Sequence, residues 1–251
     1  MKKHIPNLFT FLNLLSGLLA ILMAASDRLA AAAGLVFLGI FFDFFDGFFA
    51  RKFNVVGELG KQLDSLADMV TSGVVPGIVM FQLLLHASRD RWFMELSCET
   101  GSWSSFEETF FYYIPFVGLL IPLGSAYRLA NFNIDERQTD SFIGLPTPAM
   151  SLLVVSLPLI LIYQEDSFLV PWIENIYVLT GLTLLGTFLL NANLPLFSLK
   201  FKDYGWKGNE FRYVFLLLSA VLLALFRIAA VPMIILVYVL LSVAQNKKLR
   251  T

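Results

Sequence analysis

Long apolar runs alternate with short polar stretches along the chain. A helix needs about 20 mostly apolar residues to cross the roughly 30 Å hydrocarbon core of a bilayer. Runs of about this length predict eight helices, at 5–25, 29–52, 59–86, 107–131, 147–163, 171–192, 211–226 and 229–244. The pattern therefore predicts an all-α fold, a polytopic membrane helix bundle.

The prediction of two separate helices at 211–226 and 229–244 depends on a break between them. Residues 211–244 would form a helix about 51 Å long at a rise of 1.5 Å per residue, which is too long for one crossing. Arg227, followed by Pro232, offers a place for the chain to turn. We therefore favour two helices, although one bent and tilted helix would also fit the pattern.

Lysines and arginines are unevenly distributed between the two predicted faces of the bundle. With the N-terminus inside, 14 of the 18 fall on the cytoplasmic side and 4 on the other. This asymmetry predicts a multi-pass protein of the cytoplasmic (inner) membrane with both termini in the cytoplasm. The apolar N-terminus also resembles a signal peptide ending near Ser26, but Pro6, Asn7 and Asn13 look functional, which argues against cleavage.

Composition supports the membrane assignment and excludes some other classes. The chain has 251 residues, 57% of them hydrophobic and only 15% charged, whereas about a quarter are charged in soluble proteins. A net charge of −1 and the lack of a basic cluster give no reason to expect nucleic-acid binding. The single cysteine, Cys98, excludes an internal disulfide and a cysteine-based metal site.

Four aspartates interrupt the apolar sequence of the second and third predicted helices. Each would cost roughly 2.5–3.5 kcal/mol in mid-membrane if left uncompensated. Asp43, Asp46, Gly47 and Ala50 recur at helical spacing, and Gly60, Asp64 and Asp68 do so on the next helix. The two acidic faces are therefore predicted to meet at similar depth.

Converging carboxylates favour hard divalent cations, Mg²⁺ or Mn²⁺. Four carboxylates suit a pair of ions, the arrangement that promotes phosphoryl transfer. The small residues Gly47, Ala50 and Gly60 leave room for a bulky ligand or for close helix packing. Pairing of the aspartates with arginines is the structural alternative.

These residues resemble the signature of the CDP-alcohol phosphotransferases, D-x-x-D-G-x-x-A-R followed by G-x-x-x-D-x-x-x-D. The first part stands at Asp43–Arg51 and the second, after eight residues, at Gly60–Asp68. The resemblance implies a core of six helices over residues 1–196, which is usually dimeric. Residues 197–251 would then form a cytoplasmic linker and a C-terminal transmembrane hairpin.

The resemblance also implies roles for individual residues. Asp43 and Asp64 would bridge two metal ions, Asp46 and Asp68 would each complete one site, and Asp68 would also be the general base. CDP-diacylglycerol would be bound by residues of the first three helices and the loop between the second and third: Pro6, Asn7, Thr10, Asp46, Gly47, Ala50, Arg51, Gly57 and Gly60.

The acceptor alcohol is inferred from further segments. The stretches 5–17, 127–133 and 142–149 are similar to members of this family that use L-serine. A phosphorylated acceptor would require several lysine or arginine side chains near the metal ions, but few are available in this part of the sequence. We therefore expect serine, its carboxylate held by Arg128 with Asn131 or Asn13 assisting; glycerol phosphate, inositol phosphate and choline are the alternatives.

Other interpretations of this acceptor region and of the acidic face stay open. Arg128 could simply anchor a helix end, and Gly144–Pro148 could be only the turn before the next helix. A divalent-cation transporter would also place carboxylates in the membrane, but it would usually show broken helices or repeated halves.

Overall fold

The computed structural model describes residues 4–55, 57–89, 113–134, 142–197, 205 and 209–250. Helices dominate these residues, as the lack of water in a bilayer requires, because a helix satisfies its own backbone hydrogen bonds. They are α1 (Ile5–Ala25), α2 (Leu29–Lys52), α3 (Glu58–Asp68), α4 (Val75–Arg89), α5 (Leu120–Ile134), α6 (Thr147–Tyr163), α7 (Val170–Ile173), α8 (Ile176–Asn191), α9 (Glu210–Phe226) and α10 (Ala230–Arg250).

Among the described residues, four helical stretches are long and apolar enough to cross a membrane: Ile5–Ala25, Leu29–Lys52, Glu58–Ser88 and Glu210–Gln245, the last of which includes both α9 and most of α10. Thr147–Tyr163 and Ile176–Asn191 are shorter apolar helices. The protein is therefore an all-α, polytopic integral membrane protein, as predicted.

The first two helices pack through small residues. Ala20 and Ala24 of α1 and Ala32 and Ala33 of α2 are fully buried, which allows the backbones to approach closely. Large side chains on the same helices, such as Phe44, are exposed. The apolar surface of this pair therefore faces outward, as expected for lipid contact.

The third predicted helix is continuous but not uniform. A π-helical segment, Met69–Val74, joins α3 to α4 directly after Asp68. Within it, the Thr71 hydroxyl donates a hydrogen bond to the Asn13 carbonyl oxygen at 3.1 Å. The sequence had suggested an unbroken α-helix, and the difference matters because the wide turn changes which face α4 presents.

The following helices differ from the predicted bounds mainly at their ends. A 3₁₀ segment, Ile114–Leu119, opens α5, which runs three residues beyond the predicted end; residues 107–112 of the prediction lie outside the described range. The single helix predicted at 171–192 is divided into α7 and α8. The Asn175 side chain caps α8 by accepting hydrogen bonds from two backbone N–H groups.

A short antiparallel ribbon, which was not predicted, links the segments before α6 and after α8. Its strands are β1 (Phe142–Ile143) and β2 (Pro195–Leu196), and Phe142 pairs with Leu196. Gly144 follows with φ +77°, a conformation that favours glycine. Pro146 then caps α6 at its N-terminus, so the Gly144–Pro148 run does form the turn that opens this helix.

The C-terminal helices form a hairpin. A 3₁₀ segment, Arg227–Ala229, separates α9 from α10, and Arg227 has φ 52°. Phe215 of α9 and Tyr238 of α10 lie on either side of this break, yet their ring centroids are 5.7 Å apart. The helices therefore fold back on each other, which confirms the predicted break and excludes a single bent helix.

Candidate active site

Three carboxylates from two helices meet inside the bundle. Asp43 on α2 and Asp64 and Asp68 on α3 each offer an oxygen atom within 4.8 Å of the other two. The structure thus brings together the two acidic faces that the helical spacing predicted.

Asp46 lies beside this group, and a hydrogen bond from α1 orients its side chain. The Thr10 hydroxyl of α1 donates a hydrogen bond to Asp46 Oδ2 at 2.7 Å, and both residues are buried. Asp46 does not belong to the three-carboxylate cluster, but it lines a cavity together with Asp64. The four predicted metal ligands are therefore adjacent, with three in tight proximity and the fourth at the cavity wall.

Asn13 fixes the orientation of Asp68. Its Nδ2 donates a hydrogen bond to Asp68 Oδ1 at 3.1 Å, and the residue is fully buried. A Cβ atom added at Gly39 would lie 2.9 Å from Asn13 Oδ1 and 2.6 Å from Thr71 Cγ2, so only glycine leaves space for this contact. Asn13, predicted to help hold the acceptor, therefore orients the predicted base.

A cavity of about 270 Å³ opens next to the carboxylates, between α1, α2 and α3. It is lined by every residue predicted to bind the nucleotide lipid: Pro6, Asn7, Thr10, Asp46, Gly47, Ala50, Arg51, Gly57 and Gly60. Val55, Lys61 and Asp64 complete the lining. Small residues thus leave a hollow against the acidic cluster, as expected for a ligand site.

Two basic side chains, those of Arg51 and Lys61, lie at the rim of this cavity. Arg51 is exposed, and its Nε donates to the Gly47 carbonyl oxygen at 3.0 Å. Lys61 Nζ donates to the Asn133 carbonyl oxygen of α5 at 2.7 Å, and the Asn133 amide donates to Ser65 at 2.9 Å. Neither Lys61 nor Asn133 was a predicted site residue, although Lys61 directly follows Gly60 of the motif.

Arg128, the predicted acceptor contact, is almost entirely buried on α5. It is 7% exposed, and it interacts electrostatically with Asp68. Its Nε has no hydrogen-bond partner among the described residues. Asn131, one turn further along α5, is half-buried, and among the described residues Asp68 receives its side-chain hydrogen bond from Asn13.

The donor set fits divalent cations. Asp64 Oδ1 is buried without a hydrogen-bond partner among the described residues, so it has an unused lone pair beside two further carboxylates. Burial of several carboxylates together is unfavourable unless cations compensate them. Oxygen-only ligands of this kind favour Mg²⁺ or Mn²⁺.

Comparison with known families adds independent information. The model of the CDP-alcohol phosphatidyltransferase family matches residues 3–187, which include all four aspartates and the whole cavity lining. The chain belongs to this family. The resemblance seen in the two-part aspartate motif is therefore confirmed, and the protein is an enzyme of the phosphotransferase type.

Curated members of the family show the similarity in detail. The chain is 34% identical over 159 residues to the CDP-diacylglycerol–serine O-phosphatidyltransferase of Bacillus subtilis, covering 62% of this chain and 75% of the relative. It is 31% identical over 219 residues to the Helicobacter pylori (strain 26695) protein of the same name, covering 86% and 80%. An archaetidylserine synthase of Methanothermobacter thermautotrophicus is 32% identical over 165 residues, covering 65% and 61%.

A larger cavity, of about 680 Å³, lies at the other end of the bundle from the family motif. It is bounded by Ile162–Phe168, at the end of α6 and directly after it, and by Leu225–Arg227 and Ala229 at the hairpin turn. The carboxylate cluster lies instead between α2 and the second half of α3, so size alone does not identify the active site. The smaller cavity is the candidate active site because Asp46 and Asp64, two of the four predicted metal ligands, line it.

Proposed function

We propose that the protein transfers the phosphatidyl group of CDP-diacylglycerol to the hydroxyl group of L-serine, which gives phosphatidylserine and CMP. The observation that carries this proposal is the contact of the carboxylate cluster with a cavity lined by the whole predicted nucleotide set. The names of the curated relatives support the same donor and acceptor.

The donor would lie along α1–α3 with its phosphates toward the acidic cluster. Gly47, Ala50 and Gly60 leave space for the nucleotide, and Arg51 and Lys61 supply positive charge at the rim. Leu59 and Leu66 are largely exposed on the outer surface of α3. The acyl chains can therefore stay in the bilayer while the headgroup enters the cavity.

Asp43, Asp46, Asp64 and Asp68 would hold two Mg²⁺ or Mn²⁺ ions. Bound there, the ions would neutralise the pyrophosphate and the charge that develops on the leaving oxygen. The protein positions two of these carboxylates through hydrogen bonds: Thr10 orients Asp46, and Asn13 orients Asp68. Each of these hydrogen bonds limits how the carboxylate can rotate.

Asp68 would act as the general base. It accepts the proton of the acceptor hydroxyl while the hydroxyl oxygen bonds to the phosphorus that carries diacylglycerol. The bond from that phosphorus to the bridging oxygen of the pyrophosphate breaks, and CMP leaves with that oxygen on its single phosphate. Since Asn13 donates a hydrogen bond to Asp68 Oδ1, the other carboxylate oxygen would receive the proton of the acceptor.

Arg128 would bind the carboxylate of serine. A buried guanidinium with an unpaired N–H requires an anionic or polar partner, and Asp68 is shared with the metal site. A single arginine matches a single carboxylate, whereas a phosphorylated acceptor would need more cations. Asn131 on the same face of α5 would assist.

The active site would face the cytoplasm from the inner membrane. The end of the bundle that holds the cavity also carries Arg51, Lys52 and Lys61, in keeping with the excess of basic residues on the cytoplasmic side of membrane proteins. A homodimer, which the family resemblance implies, stays a prediction.

A panel of acceptors tests the proposal directly. Purified protein with CDP-diacylglycerol and Mg²⁺ or Mn²⁺ is given serine, glycerol phosphate, inositol phosphate or choline, and CMP release is measured. We expect release that depends on both serine and metal. Turnover with another alcohol but not with serine would overturn the acceptor assignment, while no CMP release with any acceptor would overturn the reaction.

Substitution of Arg128 tests its role within this reaction. Arg128→Ala should raise the KM for serine by at least about tenfold, because a charged hydrogen-bond partner is lost. The KM for CDP-diacylglycerol should stay within about twofold of the wild-type value. An unchanged serine KM would remove Arg128 from the acceptor site without affecting the metal assignment.

A further inference from the structure

A lysine at the rim of the smaller cavity is hydrogen-bonded to the end of another helix. Lys61 of α3 lines this cavity, and its Nζ donates a hydrogen bond to the Asn133 carbonyl oxygen at 2.7 Å. Asn133 is the second-last residue of α5. The last carbonyl groups of a helix have no partner within it, so Lys61 satisfies one of them and places its positive charge where the helix dipole is negative.

The side chain of Asn133 completes the link between the two helices. Its Nδ2 donates a hydrogen bond to Ser65 Oγ at 2.9 Å. The Ser65 hydroxyl lies in turn 3.1 Å from the Lys61 carbonyl oxygen, to which it donates, one turn earlier on α3. Three hydrogen bonds therefore join Lys61, Ser65 and Asn133 in a closed ring, which we call the α3–α5 clasp.

The clasp leaves most of the hydrogen-bonding capacity of Lys61 for a ligand. An ammonium group has three N–H donors, and within the described part of the chain one of them is used by the Asn133 carbonyl oxygen. This oxygen is neutral, so it does not cancel the charge of the lysine. The clasp also restricts a long side chain that would otherwise adopt many rotamers, which lowers the entropic cost of binding an anion.

The position of Lys61 suits the phosphates of a nucleotide lipid. Lys61 precedes Asp64 by three residues on α3, and both side chains line the same cavity. Phosphates that are held by metal ions at the carboxylates would therefore lie close to the ammonium group. A lysine binds phosphate as a point charge, so its effect depends on where the charge is held.

We propose that Ser65 and Asn133 are positioning residues for the donor, which hold the Lys61 ammonium group toward the phosphates of CDP-diacylglycerol. This inference rests on the donor of the proposed function and not on the identity of the acceptor. It gives the end of α5, the helix that carries the predicted acceptor contact Arg128, a role in the affinity for the donor.

Ser65→Ala breaks the clasp and leaves Lys61 in place. We expect the Kd for CDP-diacylglycerol, measured with Mg²⁺ and without an acceptor, to rise about 3- to 10-fold, because the hydrogen bonds that fix Asn133 and its lysine are lost. Lys61→Met removes the charge and should raise this Kd at least as much. Ser65→Thr keeps the hydroxyl and should bind the donor within about twofold of the wild type.

Ser88→Ala is the matched control for the loss of a serine hydroxyl. Ser88 of α4 is half-buried, as Ser65 is, but its hydroxyl donates to the Leu85 carbonyl oxygen within its own helix at 3.0 Å. The Kd for the donor should therefore stay at the wild-type value. The serine KM of Ser65→Ala at saturating donor should change by less than about twofold, since Arg128 is outside the clasp.

A double variant separates positioning from a general structural effect. If Ser65 acts through Lys61, Ser65→Ala should add no further loss to Lys61→Met. Additive losses, or a lower melting temperature of Ser65→Ala with an unchanged donor Kd, would overturn this inference alone, as would an unchanged Kd in Lys61→Met. Failure of the wild type to bind CDP-diacylglycerol would instead refute the donor of the proposed function.

Discussion

The contact between α1 and Asp46 offers a sharp test of the site, through Thr10→Val. The Thr10 hydroxyl lies 2.7 Å from Asp46 Oδ2, and the two residues are only 4% and 6% exposed. Valine has nearly the shape of threonine but no hydroxyl. The substitution therefore removes one hydrogen bond to a carboxylate and little packing.

The expected magnitude follows from the charge of the acceptor group. A hydrogen bond to a charged group contributes about 1.5–3 kcal/mol, and each 1.4 kcal/mol corresponds to about a factor of ten in affinity. Asp46 should therefore hold its metal ion about 10- to 100-fold more weakly. The same range is typical when a residue that orients a metal ligand is removed.

The measurement is CMP release at increasing Mn²⁺ or Mg²⁺ concentration with saturating serine and CDP-diacylglycerol. We expect half-saturation of the Thr10→Val enzyme at a 10- to 100-fold higher metal concentration. Thr183→Val is the matched control, because Thr183 is also fully buried but donates to the Leu179 carbonyl oxygen within its own helix. Superimposable metal titrations for Thr10→Val, Thr183→Val and the wild type would refute the reasoning.

Two further substitutions test the metal cluster and the packing beneath it. Asp64→Asn should lower turnover more than about 100-fold, since it neutralises a proposed ligand itself; near-normal turnover across a metal titration would argue against the cluster. Gly39→Ala should destabilise the protein by about 1–3 kcal/mol, because the added methyl group would lie 2.6 Å from Thr71 Cγ2. Gly34→Ala, with no atom within 4 Å of the added carbon, is its control in a thermal unfolding assay; equal melting temperatures would contradict the expected clash.

Much of the helical architecture could be predicted because bilayer thickness restricts it. Apolar run length gave the bounds of α1, α2 and α6 as the structure has them, and Arg227 correctly indicated the hairpin turn. The π segment was missed, since a single wide turn leaves no periodic pattern in an apolar stretch. The two-residue ribbon was missed because such short strands carry too few residues for alternation.

The candidate site was likewise predictable only in part. Spacing along a single helix could place Asp43, Asp64 and Asp68 on facing surfaces, because a helix has a fixed period. Contacts between distant segments, such as that of Lys61 with Asn133, depend on how the helices cross, which no local pattern records.

The π segment has a consequence for changes of chain length. It lies between the acidic face of α3 and α4, where Val75, Val79 and Met80 are fully buried. Ordinary winding of the same residues would rotate α4 by about 100° about the helix axis, one residue's share of a 3.6-residue turn. Loss of one residue from the wide turn would restore ordinary winding and leave the face of α4 nearly unchanged, because the wide turn holds about one extra residue. A one-residue deletion within Met69–Val74 should therefore be tolerated better than one within α4 itself, where no wide turn can absorb it.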